Sequence, residues 1–63
     1  DMVTIVVQIN GRLRAKFEAP ADADRDTLQE NALSLERTKQ YTEGRTVRKI
    51  IVVKNRLVNI VVT

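Results

Sequence analysis

The stretch Gln8-Ile9-Asn10-Gly11-Arg12-Leu13-Arg14-Ala15-Lys16, QINGRLRAK, decides how this chain folds. Asn10-Gly11 is a strong hairpin signal, because both residue types accept the left-handed backbone that tight turns demand. Before it, Val3 to Ile9 is rich in β-branched residues; after it, Arg12 to Ala19 alternates apolar and charged. The two runs read as antiparallel strands, and two registers compete. A two-residue loop sets Ile9 against Arg12, Val7 against Arg14 and Ile5 against Lys16, the apolar side of one strand against the basic side of the other. A three-residue loop, Ile9-Asn10-Gly11, sets Gln8 against Arg12, Val7 against Leu13, Ile5 against Ala15 and Val3 against Phe17. A slip by one residue turns every side chain to the other face, so burial selects between them. The second register is expected. It leaves one apolar face and one polar face of Thr4, Val6, Gln8, Arg12, Arg14 and Lys16, with Gly11 as the left-handed residue of a G1 bulge.

Working outward, Pro20 ends the second strand because it cannot donate to a ladder. Asp24 is placed to cap a helix running through Leu28 and Ala32, with Asp26 in the first turn, where the helix dipole favours an acid. Leu28, Ala32 and Leu35 recur at helical spacing as its buried stripe. Ser34 is expected to cap a second short helix ending near Glu43, with Gly44 as the left-handed residue beyond it. Val47 to Val53 and Leu57 to Val62 form a second hairpin around Lys54-Asn55-Arg56. An odd loop there aligns Ile50 and Val52 with Ile60 and Val58 on the core side. Lys49, Ile51 and Val53 then share the outer face with Leu57, Asn59 and Val61, which is too apolar for an ordinary solvated surface and suits a covering partner. The order ββααββ predicts an α+β domain, one four-stranded sheet of two hairpins with two short helices packed on one face. The uncharged centre of the first strand argues for an interior place in that sheet.

Composition bounds the function. At 63 residues the chain is one domain that buries only about 60% of its unfolded surface, without room for a deep cleft between lobes. It has no cysteine and no histidine, which removes disulfides, thiolate metal sites, the cysteine nucleophile and the commonest general base. Asp22, Asp24 and Asp26 lack the glycine turn and terminal glutamate of a calcium loop and read as a helix start. No apolar run approaches the roughly 20 residues needed to span a bilayer, so no membrane partner is expected. The chain opens directly on a strand pattern, as a piece cut from something longer would.

The formal net charge is +3, but the charge is segregated. Glu18, Asp22, Asp24, Asp26 and Glu30 crowd the middle. Arg12, Arg14 and Lys16 precede them, and Arg45, Arg48, Lys49, Lys54 and Arg56 follow in a stretch without an acid. Such segregation is the electrostatic footprint of an anionic partner, most often nucleic acid. Each cation also has a plainer reading. The first three can be charges that keep a β edge from aggregating. Arg45, Arg48 and Lys49 follow a helix C-terminus, where the dipole favours cations. Lys54 and Arg56 project from a hairpin tip. Tyr41 and Phe17, the only aromatics, read as core anchors rather than base-stacking platforms.

The runs VVQINGRLRAKFEAPADA and EGRTVRKIIVVKNRLVNIVV resemble the C-terminal domain of bacterial-type leucyl-tRNA synthetase, a class I aminoacyl-tRNA synthetase. The likeness is most specific at Val7 to Arg14, Pro20 to Ala23 and Leu57 to Val62. It departs at the second turn, where the family commonly has Pro-Gly-Lys and this chain has Lys54-Asn55-Arg56; asparagine tolerates the left-handed conformation, so the turn should survive. The resemblance implies that residues 1–63 are a single tRNA-binding domain, a fragment of a larger cytoplasmic, monomeric ligase. Its partners would be the elbow of tRNA-Leu, where the D and T loops meet, and the rest of the synthetase in cis. It implies RNA contact from among Arg12, Arg14, Lys16, Arg45, Arg48, Lys49, Lys54 and Arg56. No catalytic residue, metal or cofactor is expected in the fragment itself, ATP being bound by the parent enzyme. The competing class is a protein-interaction module, a β-grasp or ubiquitin-like domain that docks through its apolar outer face.

Overall fold

Asn10 and Gly11 both have positive φ, 53° and 83°, and together make the first turn. The computed structural model describes all residues from Asp1 to Thr63. Strand β1 (Met2–Ile9) leads through this turn into β2 (Arg12–Pro20). Helices α1 (Arg25–Ser34) and α2 (Glu36–Thr42) follow, then strands β3 (Val47–Val53) and β4 (Leu57–Val62). The four strands form one sheet in the order β2-β1-β4-β3. The two hairpins are antiparallel, and β1 joins β4 in parallel, with Val7 beside Val58 and Ile9 beside Ile60. The α+β architecture expected from the sequence is present, with β1 in the interior.

Strand chemistry accounts for this order. The central strands, MVTIVVQI and LVNIVV, carry no charge, whereas Arg12, Arg14, Lys16 and Glu18 lie in β2 and Arg48 and Lys49 in β3. Charged side chains on edge strands oppose pairing with further chains. Each edge strand also has a one-residue register shift, and each falls on an arginine: Arg14 in β2 and Arg48 in β3.

The first hairpin differs from the expected register. Its loop has two residues, so Ile9 pairs with Arg12 and Gln8 with Leu13. Positive φ at both turn residues gives the primed turn whose twist matches that of the strands. Bonds to β4 hold it there. Asn10 N–H donates to the Ile60 carbonyl at 2.9 Å, and Asn10 Oδ1 accepts from Val62 N–H at 2.9 Å. Gly11 N–H donates to Asn59 Oδ1 at 3.0 Å. Such a loop leaves the following strand one residue out of phase. The bulge at Arg14 corrects this, so that Ala15 faces Val7, Phe17 faces Ile5 and Ala19 faces Val3. The extra residue that burial requires is therefore Arg14 in the strand and not Gly11 in the turn. Leu13, expected inside, is 62% exposed on the outer side.

The second hairpin has the expected odd loop: Ile50 pairs with Ile60, Val52 with Val58, Ile51 with Asn59 and Val53 with Leu57. Asn55 takes a φ of 64°, and Arg56 N–H closes the turn on the Val53 carbonyl at 3.1 Å.

Both helices cover one face of the sheet. The core comprises Ile5, Val7, Ile9 and Ala19 from the first hairpin, Val52, Val58, Ile60 and Val62 from the second, and Ala23, Leu28 and Ala32 from the helical layer. Asp24 caps α1, its side chain accepting from Thr27 N–H at 2.8 Å. Ser34 does not cap α2. It completes the last turn of α1, donating to the Asn31 carbonyl at 3.0 Å, while Leu35 in extended conformation makes the corner and packs against the core. Gly44, at φ 76°, follows Glu43 (φ −63°, ψ 129°) in a type II turn closed by Arg45 N–H on the Thr42 carbonyl.

Candidate nucleic-acid interface

The face of the sheet opposite the helices is open. Side chains directly opposite one another across a ladder share a face, so the registers assign its rows. One row runs Leu13, Gln8, Asn59, Ile51; the next runs Lys16, Val6, Leu57, Val53; and Val61 sits beside Lys49. Ile51 and Val53 are 38% and 41% exposed, and Val6, Leu57 and Val61 are half-buried. The result is an apolar stripe across three strands, Val6, Leu57 and Val53 with Ile51 and Val61 beside it, flanked by Lys16 and Glu18 on the β2 edge and Lys49 on the β3 edge. The apolar outer face expected of the second hairpin thus reaches Val6 of the first, whose open face is otherwise largely polar.

The eight expected cations do not form one patch. Arg12 and Arg14 do not share the face of Gln8, because the turn and the bulge re-aim them, whereas Lys16 does. Only Lys16 lies on the open face, opposite Val6. Arg12 lies opposite Ile9, on the helix-side face just beyond the core. Arg14 is half-buried at the bulge, its guanidinium carbon 4.7 Å from the centroid of the Tyr41 ring in α2. Arg45 and Arg48 stand at the start of β3, the same end of the sheet as the Asn10-Gly11 turn, and Arg48 Nε donates to Thr63 Oγ1 at 3.3 Å. Lys54 and Arg56 are exposed in the β3–β4 turn, where the Arg56 carbonyl accepts from Val6 N–H at 3.0 Å. That turn lies near the start of α1, where Lys54 adds a small attraction to the Asp24 carboxylate.

The Asp24 carboxyl is held below its usual value, first by the Thr27 backbone N–H and next by the Thr27 hydroxyl, both of which favour the ionised form. No group of three or more acids stands together as a metal site. No helix is long and apolar enough to cross a membrane. Two features were not picked out from the sequence. Leu13 is an exposed apolar side chain on the open face beside Gln8, and only the two-residue turn reveals its direction. Arg37, exposed in α2, joins Leu13, Arg14, Ala15 and Lys16 in lining an open groove of about 330 Å³. A basic residue in a polar helix carries no signal until the neighbouring strand is placed.

No family model matches the chain. It is similar over nearly its whole length to curated leucine–tRNA ligases: 50% identical over 62 residues to that of Caldanaerobacter subterraneus, 51% over 61 residues to that of Alkalilimnicola ehrlichii, and 49% over 63 residues to that of Nitratidesulfovibrio vulgaris. These matches cover 98%, 97% and 100% of the chain. The chain spans only 7–8% of those relatives' own lengths. Among solved structures, the ternary complex of Agrobacterium radiobacter K84 agnB2 LeuRS with tRNA and LeuAMS contains a region of the same fold. The TM-score is 0.92 at 26% identity, over 98% of this chain and 8% of that one. In sequence and in fold alike, the chain is similar to one small part of the leucine–tRNA ligases.

Proposed function

We propose that residues 1–63 are the C-terminal, tRNA-binding accessory domain of a cytoplasmic, monomeric leucine–tRNA ligase, and that they grip the elbow of tRNA-Leu in support of aminoacylation. The observation that carries this reading is the open sheet face, an apolar stripe with a lysine on each edge, in a domain whose structural neighbour belongs to a LeuRS–tRNA complex. Folded RNA is recognised by shape, by phosphate and 2′-hydroxyl contacts, and by unstacked bases. Lys16 and Lys49 would meet phosphates on either side, while Val6, Leu57, Ile51 and Val53 pack on an exposed base pair at the elbow. Arg12, Arg45, Arg48, Lys54 and Arg56 widen the positive field at the two ends of the sheet, and Arg14 acts from the β2 bulge. The chemistry with ATP and leucine lies in the rest of the enzyme, to which this domain is joined in cis.

The test is tRNA binding by the full-length ligase as a function of salt. With three to five phosphates engaged through the domain, its share of the slope of log K against log salt is roughly −2 to −4. The double variant Lys16→Glu, Lys49→Glu is expected to weaken binding and reduce the slope by roughly 1.4–1.8. An affinity and slope equal to the parent's would remove the electrostatic basis of the proposal.

A protein-docking role is the second reading, favoured by the exposure of Ile51 and Val53. Under it, Ile51→Asn releases a protein partner while the salt slope for tRNA stays unchanged.

A further inference from the structure

The groove at the edge of β2 contains a charge arrangement that the open face does not explain. Three of its five lining residues are cations, Arg14, Lys16 and Arg37, and none is acidic. Gathering three like charges is unfavourable unless an anion relieves the repulsion. They come from two elements. Lys16 reaches from the open face, Arg14 from the bulge between the faces, and Arg37 from α2 on the helix side. The groove therefore wraps around the sheet edge. Tyr41, one turn along α2 from Arg37, fixes one member: its ring lies under the Arg14 guanidinium, and Arg14 Nε has no acceptor within the protein. An aromatic face holds a guanidinium without a counter-charge, whereas a carboxylate partner would offset its positive field. Planar and forked, it is suited to phosphate oxygens.

We infer that this groove is a phosphate subsite, in which Arg14, Lys16 and Arg37 clasp one backbone phosphodiester of an RNA lying across the open face. Helix α2 is then part of the RNA-binding surface, with Arg37 as a direct contact and Tyr41 as a positioning residue for Arg14. The inference rests on the tRNA reading above and adds to it a site, a third cation and a path for the strand around the β2 edge.

The experiment uses the full-length ligase, purified tRNA-Leu and a salt series, with inorganic phosphate as a second probe. Arg37→Gln, an exposed substitution, is expected to weaken tRNA binding several-fold and reduce the salt slope by roughly 0.7–0.9, one phosphate's worth. Tyr41→Phe should bind as the parent does, because the ring face is retained. Tyr41→Leu should weaken binding, and adding Arg14→Gln to it should cost less than Arg14→Gln costs alone, with melting temperatures confirming that each variant is folded. If Arg37→Gln leaves affinity and slope unchanged while removal of residues 1–63 lowers both, the groove is not a phosphate subsite and the tRNA reading survives. If removal of residues 1–63 changes neither, both fail. If Arg37→Gln weakens binding of inorganic phosphate but not of tRNA, the groove takes a free anion and the assignment to RNA is overturned.

Discussion

Asp24 has one side-chain bond to make, and that bond sets where α1 begins. Its carboxylate satisfies Thr27 N–H, one of the donors that a helix start leaves without an internal partner. Asp24→Ala is expected to lower the melting temperature by about 3–8 °C at neutral pH. The carboxyl's folded pKa lies below its usual 3.8, so its contribution is complete above that value and is lost as pH falls through the lowered one. The deficit of Asp24→Ala relative to the parent should therefore shrink as melting is measured at more acid pH, whereas Asp24→Asn, still a cap, should show little deficit at any pH. A deficit that grows with acidity would contradict the cap assignment. This role was legible in the sequence because cap and donor stand three residues apart. The partners of the first turn were not: Gly11 and Asn59 are separated by 48 positions, Asn10 and Val62 by 52, and nothing local announces either bond.

At the scale of the element, parity of the hydrophobic pattern assigns faces but does not assign register. The expected pairing of Val7 with Leu13 and the observed pairing of Val7 with Ala15 differ by two residues, so Ala15 and Phe17 face the core in both. Only Arg12, Leu13 and Arg14 distinguish them, and a bulge has no sequence signature of its own. The second hairpin was readable because its odd residue lies in the loop, at Asn55, and its strands pair without interruption from Lys49 to Val53. Deleting a single residue separates the two registers. With Arg14 removed, the observed turn continues into a regular ladder: Leu13 still faces Gln8, Ala15 still faces Val7, and Phe17 still faces Ile5. The deletion is therefore expected to fold, with a melting temperature within about 8 °C of the parent, while tRNA affinity falls because a groove cation is gone. In the three-residue-loop register the same deletion would turn Ala15 and Phe17 out of the core and unfold the chain, as a thermal melt would reveal. Bulges re-aim side chains at functional edges, and here the residue re-aimed is an arginine.

At the scale of the molecule, the body measures 35 × 19 × 17 Å and has helices on one face only. Its strand order was legible in one place only: the charge-free centre of β1 argued for an interior position, which it has. The parallel pairing of β1 with β4, made across the whole helical segment, was not. So small a core leaves little reserve of stability, and an apolar sheet face left open by its own helices is suited to a partner held close by. Under the proposed function, tethering to the rest of the ligase supplies that closeness. A module joined to a larger enzyme acts at an effective concentration reaching the millimolar range, so its free affinity can be poor while its contribution in cis is large. Cutting residues 1–63 from the ligase is accordingly expected to raise KM for tRNA-Leu by at least about tenfold and to reduce the salt slope of tRNA binding by roughly 2–4. ATP-dependent activation of leucine, which needs no tRNA elbow, should be unchanged. Adding the excised domain back in trans at micromolar concentration should restore little, since the loss is one of effective concentration. Loss of leucine activation in step with tRNA affinity would place this domain in the support of the catalytic body and not in the grip on tRNA.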